Sequence, residues 1–546
     1  MSDTPIAVGL NLGHDGGCAV VVGDRVVAIA EERLNRTRYS AGWHAALAYC
    51  LQAAEVALAD VGVVVFSCLG PRLPEGFTGG LDLYGLPPAR ITTVDHHLSH
   101  AYGAFCLSGT DEALVVVADG AGNDHRTESY FLADRTAITR VGGNREGRAR
   151  AGGIGATYEA VTNWLGFDEQ ECGKTMALAS YGDPKAVGVP LFDLSGTQVE
   201  GRLTGTHEGG LARFAAGAGV DLGPLHTWDS PRARDLAAWV QTRTEDVLAE
   251  VIARLMAEHQ RATVCFAGGV AMNCVANEVV RRRTGARMFV PPPASDRGQA
   301  LGNALHGIHL LTGMVPSTPL AGRDSFGRAY PPEEIELALR RHPLSGPPQR
   351  HPHHRFDWRR ESDPAALAAE LLADGRLIGW FDGGSELGAR ALGSRSILAD
   401  PRHQATREVL NTRIKHREFF RPFAPAVLAE HAPAWFDLDS DSPYMLFAPR
   451  VREERRHRLG AVTHVDGTAR VQTVDAAAHP AFHRLISRFG ELTGVPAVLN
   501  TSFNDREPIV ESPAHALATF CHTDLDALVF SDGFVVSKSD DRLSKP

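Results

Sequence analysis

One pattern constrains the fold of this chain more than any other: a strand–glycine-rich turn–strand–strand unit that occurs twice. Ile6 to Leu12 alternates and is β-prone, and Gly13-His14-Asp15-Gly16-Gly17 follows as a turn. Cys18 to Val22 reads as a second strand, Gly23-Asp24 as a hairpin turn, and Val26 to Ala30 as a third strand. The pattern then returns. Ala113 to Ala118 is a strand, Asp119-Gly120-Ala121-Gly122 an acidic glycine-rich turn, and Glu128 to Leu132 with Ala137 to Val141 the closing pair. Thr263 to Phe266 is a further strand that runs into Ala267-Gly268-Gly269-Val270-Ala271-Met272-Asn273. Glycines placed after a strand let backbone N–H groups approach a phosphate or ribose closely. Apolar residues from Ala233 to His259 recur at three- and four-residue spacing, which predicts a helix.

A duplicated unit of this kind marks the α/β architecture of actin, hexokinase and ribonuclease H. There, two similar lobes clamp a nucleotide between glycine-rich loops. With 546 residues, and domains running from ~150 to ~250 residues, two large domains are expected. Ser317 to Trp358, rich in Pro, Arg and His, reads as the boundary. Its run His351-Pro352-His353-His354 reads as linker rather than metal site, because Pro352 interrupts it and no acid or Cys accompanies it. Apolar residues make up 44% and charged residues 22%, as in a globular protein with a core. Apolar stretches such as Val61 to Phe66 fall far short of the ~20 residues of a membrane span. The N-terminus has no basic region leading into an apolar one, so a cytoplasmic protein is expected. The net charge of −10 argues against an extended nucleic-acid surface. The eight cysteines form no Cys-x-x-Cys pair and read as reduced, buried thiols.

Three constellations carry chemistry. In Asp95-His96-His97-Leu98-Ser99-His100, His96 and His100 are four apart, so a helix presents both imidazoles on one side. Asp119, ending a strand, and Asp296, opening a helix from Gln299, offer carboxylates. A His₂Asp₂ set suits a borderline divalent ion such as iron, zinc or manganese; a plain pair of helix histidines is the alternative. The second constellation is denser. It runs from Gly383 through Arg390, Ser394, Arg395 and Ser396 to Asn411, Lys415, Arg417, Glu418 and Phe419-Phe420-Arg421-Pro422-Phe423, and closes with Asn500-Thr501-Ser502-Phe503-Asn504. Arg forks and a compact Lys charge are what a polyphosphate or acyl phosphate requires, and the phenylalanines predict partial burial; surface basic residues in ion pairs are the alternative. Third, His14 in the first turn reads equally as a general base or as a loop residue.

Together these motifs resemble the O-carbamoyltransferases of antibiotic and nodulation-factor biosynthesis. Gly166-Phe167 and Lys174-Thr175-Met176-Ala177-Leu178-Ala179-Ser180-Tyr181-Gly182 add to the likeness. The resemblance implies an actin-like carbamoyl-transfer domain over 1–345, a linker over 346–361, and a YrdC-like α/β domain over 362–546. It implies that the C-terminal domain makes carbamoyl-adenylate from carbamoyl phosphate and ATP (with Mg) at Arg390, Lys415, Arg421, Asn500 and Ser502. The N-terminal domain would then pass the carbamoyl group to a hydroxyl of a small natural product. Metal ligands would be His96, His100, Asp119 and Asp296. The adenylate would touch Asp119, Gly120, Gly153, Gly155, Gly268, Gly269 and Asn273. His14 matches the family's base on the acceptor hydroxyl. Arg38 stands where the family carries Lys after Glu31-Glu32-Arg33, which implies an electrostatic role in the transfer site. A homodimer is compatible with this likeness; nucleic acid and membrane are not expected as partners. The competing readings are a tRNA-carbamoylating enzyme and a non-catalytic actin-like scaffold.

Overall fold

The computed structural model describes residues 4–69, 73–74, 76–144, 152–203, 207–316, 322–341 and 356–538. The chain divides into two units: Met1–Glu32 with Tyr39–Arg323, and Arg33–Arg38 with Asp324–Pro546.

Among the described residues, the first unit carries two five-stranded sheets of one topology. The first sheet contains β1 (Ile6–Asn11), β2 (Gly17–Val22), β3 (Arg25–Ala30), β4 (Val63–Ser67) and β5 (Ile91–Thr93), ordered β3-β2-β1-β4-β5. β1, β2 and β3 form an antiparallel meander, while β4 and β5 extend it in parallel. The second sheet contains β6 (Glu112–Ala118), β7 (Glu128–Asp134) and β8 (Ile138–Gly143). After a separate hairpin, β9 (Phe192–Ser195) with β10 (Gln198–Gly201), come β11 (Thr263–Ala267) and β12 (Arg287–Phe289). The order β8-β7-β6-β11-β12 repeats the first sheet strand for strand, with the same antiparallel and parallel pairings. Val-rich runs such as Val115–Val117 are buried, as strands covered on both faces require.

Two helices position the site of this unit. The helix His96–Ser108 starts at Asp95, whose carboxylate accepts from Leu98 N at 3.1 Å. It packs against the helix Gln299–Thr312 so closely that a Cβ on Gly302 would lie 2.1 Å from Ser99 O. Only glycine allows that approach, and Ser99 Oγ donates to Gln299 O at 3.0 Å across the same seam.

The second unit is built on an eight-stranded mixed sheet. Its strands are β13 (Phe356–Arg360), β14 (Ile378–Phe381), β15 (Arg395–Ala399), β16 (Ala424–Leu428), β17 (Gln472–Val474), β18 (Ala497–Ser502), β19 (Ala527–Phe530) and β20 (Phe534–Lys538). They are ordered β13-β20-β19-β14-β15-β18-β16-β17. Trp380, Phe489, Leu485 and Phe530 belong to its core. Arg395 is wholly buried, and its guanidinium donates to the carbonyls of Glu511, Asp382, Ser394 and Gly383.

The expected domain boundary shifts. Asp324 to Arg341 and Arg33 to Arg38 belong to the second unit. Residues 346–355 of the expected linker, including the His-rich run, lie outside the described residues. Phe356–Arg360 is an edge strand rather than linker, because its backbone pairs with β20. No helix among the described residues is long and apolar enough to cross a membrane. All eight cysteines are free, and Cys68 and Cys172 are only half-buried.

Candidate active sites

In the first unit, the start of the helix His96–Ser108, the end of β6 and the turn before Gln299 converge. One ligand atom each from His96, His100, Asp119 and Asp296 lies within 4.8 Å of the others, and all four residues are buried. His100 Nε2 is 2.9 Å from Asp119 Oδ2 and 3.3 Å from Asp296 Oδ1. His96 Nε2 is 3.4 Å and 3.3 Å from the same two oxygens, and neither of its ring nitrogens has a hydrogen bond. Burial works against a charge on His96, but Asp296 and Asp119 outweigh it and push the imidazole up to about 10. Burial opposes ionisation of Asp119 and Asp296 as well, and the two imidazoles reverse that and hold both carboxyls low. Two nitrogens and two carboxylate oxygens taken out of water together are a donor set that a borderline divalent cation fits. His97, between the ligands, turns elsewhere. Its Nδ1 meets Ser129 Oγ at 2.8 Å, and burial with the neighbouring His96 charge pushes it down to about 3.

His14 borders this cluster, with Nε2 at 3.4 Å from Asp296 Oδ2. Asp15, whose Oδ2 lies 3.8 Å from Nδ1, outweighs burial and, with the Asp296 and Asp119 charges, pushes it up to about 9. Asp15 in turn faces Arg297, 3.0 Å away.

The expected adenylate loops also meet at Asp119. Its Oδ1 accepts from Gly120 N at 2.8 Å and Gly269 N at 3.2 Å. Gly268 has φ +92°, and a Cβ there would lie 2.2 Å from Ala118 O. A Cβ on Gly155 would lie 2.5 Å from Asp119 O, and one on Gly153 2.0 Å from Thr127 Oγ1. The Asn273 side chain caps the helix Cys274–Thr284 through Ala276 N and makes two hydrogen bonds with Gln241. Glu128, read from sequence only as a strand residue, accepts from Ile154 N at 2.7 Å and from Thr127 Oγ1, and burial pushes it up to about 7.

In the second unit, Lys415 ends a π-helical turn, Asn411–Lys415, a distortion that recurs at functional sites. Its buried Nζ donates to Ser502 O at 2.6 Å, Asn504 O at 2.7 Å and Asn504 Oδ1 at 2.8 Å. Burial and the Arg417 charge pull Lys415 well below the ordinary lysine range. Burial and then Arg421, Arg470, Arg38 and Arg390 push Arg417 down to about 9. Arg421 has Glu418 at 3.5 Å. Asn500 donates to Ala391 O and Gln472 Oε1, and its buried Oδ1 has no hydrogen bond. Phe420 and Phe423 are buried as expected, whereas Phe419 is 53% exposed.

Two cations were not legible as members of this set. Arg470 lies in a stretch with no phosphate-like spacing. Arg38, expected in the transfer site, belongs to the second unit, and its charge bears on Lys415 and Arg417. Six residues after β3 leave the first unit and pack in the second, a departure that periodicity does not encode.

A buried His/Asp cluster in the first unit and a crowded cation site in the second are features that group-transfer enzymes use. The chain matches the family models described as "Carbamoyltransferase N-terminus", over residues 80–305, and "Carbamoyltransferase C-terminus", over residues 369–538. "Nodulation protein NolNO" of Sinorhizobium fredii is 35% identical across 94% of this chain and 78% of its own length. An uncharacterized protein of Synechocystis is 33% identical across 96% of this chain and 95% of its own. A "3'-hydroxymethylcephem-O-carbamoyltransferase" of Amycolatopsis lactamdurans is 30% identical across 91% and 93%. The chain belongs to the carbamoyltransferase family, among relatives that include O-carbamoyltransferases.

Proposed function

We propose that this chain is an ATP-dependent O-carbamoyltransferase with two separate sites. The first unit is an actin/hexokinase-like transfer domain, a reading supported by its doubled sheet topology. The second is a YrdC-like domain that forms carbamoyl-adenylate. The observation that carries the reading is the crowding of Arg390, Lys415, Arg421 and Arg470 around Arg417. Like charges crowded together repel, and an anion bound among them relieves that repulsion. Carbamoyl phosphate and the triphosphate of ATP are such anions.

The chemistry balances as follows. Water releases phosphate from carbamoyl phosphate, and the carbamate oxygen displaces pyrophosphate from the α-phosphorus of ATP. Positive charge arranged beforehand stabilises both leaving groups. The acceptor hydroxyl then attacks the carbamoyl carbon, AMP leaves, and the hydroxyl proton passes to His14 Nε2. His96, His100, Asp119 and Asp296 would hold a divalent metal (iron, zinc or manganese). Bound there, it supplies Lewis-acid polarisation. Asp15, Asp296 and Asp119 push His14 up to about 9, so it accepts that proton once it has lost its own. Gly120, Gly153, Gly155, Gly268 and Gly269 bring backbone near the adenylate. The acceptor is a small hydroxylated metabolite.

The test is pyrophosphate release from ATP. Release that depends on carbamoyl phosphate is expected. Equal release with and without carbamoyl phosphate, or none in either case, rejects the reading.

A further inference from the structure

Arg33 to Arg38 follow β3 in sequence but pack in the second unit. Arg33 is buried and donates Nη2 to Gly388 O at 2.9 Å. Arg36 donates Nη1 to Ile509 O at 2.8 Å and Nη2 to Pro508 O at 2.5 Å, and Glu507 Oε1 lies 4.0 Å away. Pro508 and Ile509 close a loop that opens at Ser502. That same loop supplies the three closest oxygens on Lys415 Nζ, those of Ser502 O, Asn504 O and Asn504 Oδ1. The two ends are joined inside the loop. Asn504 Nδ2 donates to Glu507 O at 2.7 Å, Ser502 Oγ to Asn504 Oδ1 at 2.8 Å, and Thr519 Oγ1 to Glu507 Oε1 at 2.8 Å.

One loop is therefore gripped from two sides, by Lys415 within the cation cluster and by the Arg36 fork outside it. The backbone bears this out. Arg36 has φ +63°, a left-handed conformation that an L residue with a long side chain holds only where its surroundings impose it. Two residues on, Arg38 adds its charge to Lys415 and Arg417.

We propose that Arg36 is a positioning residue of the second unit's anion site. Its planar fork spans two successive carbonyls and sets the Ser502–Ile509 loop, and through it the Lys415 ammonium and the Ser502 hydroxyl. A lysine at position 36 reaches one carbonyl at a time and holds the loop only in part. The proposal rests on reading this site as the place of carbamoyl phosphate and ATP.

The experiment uses the full chain with Arg36→Met and Arg36→Lys. Three quantities are measured: the melting temperature, affinity for inorganic phosphate by calorimetry, and KM and kcat for carbamoyl phosphate in pyrophosphate release. Misplaced binding groups cost up to about 100-fold. Arg36→Met should raise KM and the phosphate Kd roughly 10- to 100-fold, with a smaller change in kcat, and Arg36→Lys should fall between it and wild type. Wild-type KM and phosphate affinity in Arg36→Met would overturn the proposal. So would a fall in kcat alone with phosphate affinity kept. Should Arg36→Met not fold, Arg36→Lys decides: raised KM at a wild-type melting temperature supports the proposal, and unchanged KM rejects it. A wild-type chain that binds phosphate but releases no pyrophosphate would sink the functional reading instead, and the phosphate arm would still test Arg36.

Discussion

At the scale of single residues, the cation site is governed by burial acting on Lys415. Three close oxygens favour its ammonium, while burial and Arg417 pull its pKa below the ordinary lysine range. The sign follows directly. The folded group binds its proton less tightly than the unfolded one, so ligand-free stability rises with pH through the window below ~10.4. A bound anion restores the proton, so anion affinity falls across the same window. KM for carbamoyl phosphate should accordingly climb with rising pH below ~10.4, in advance of an ordinary lysine titration. A flat KM over that range would show that Lys415 keeps its charge unaided. Arg395 shows why residue type alone does not identify a ligand-binding group. It stands in the most phosphate-like run of the sequence, yet its guanidinium donates to backbone carbonyls. Among the cations, the motif spacing around Lys415 was readable in the sequence; the turning of Arg395 to backbone carbonyls was not.

At the scale of elements, the His96/His100/Asp119/Asp296 cluster depends on two helices held at contact distance. Gly302 makes that contact possible, because any Cβ there meets Ser99 O at 2.1 Å. Gly302→Ala must push the helix Gln299–Thr312 away from the helix His96–Ser108. Overpacking of this kind costs about 1–3 kcal/mol. It also separates Asp296, just before one helix, from His96 and His100 on the other. A lower melting temperature with a reduced content of copurified divalent metal is expected by elemental analysis. Full metal content in the variant would mean that the ligand cluster is set by the loops rather than by the helix seam. The i, i+4 spacing of His96 and His100 already implied a shared face. The partnership with Asp296, almost two hundred residues away, needed the packed seam.

At the scale of the whole molecule, the reading of two sites predicts that the half-reactions separate. Removing one preorganised charge typically costs on the order of 10²–10³ in rate. Arg421→Ala should lose most carbamoyl phosphate-dependent pyrophosphate release yet still carbamoylate acceptors from synthetic carbamoyl-adenylate, assayed over a panel of hydroxylated small molecules. His100→Ala should do the reverse. If both folded variants lost both activities, the two-site scheme would fail. What the sequence determined by itself is local. Alternating strands and glycine turns wrote the doubled unit. Histidine spacing placed two imidazoles on one side of a helix, and basic spacing wrote most of the cation cluster, since these depend on neighbours within a few residues. The tertiary structure decided what depends on chain return. It assigned Arg33 to Arg38 to the second unit, brought Arg470 and Arg38 into reach of Arg417, and turned Asn273 into a helix cap. Side chains distant in sequence meet only when buried apolar faces dock, and the patterns of hydrophobicity that drive docking do not record which polar groups are carried together.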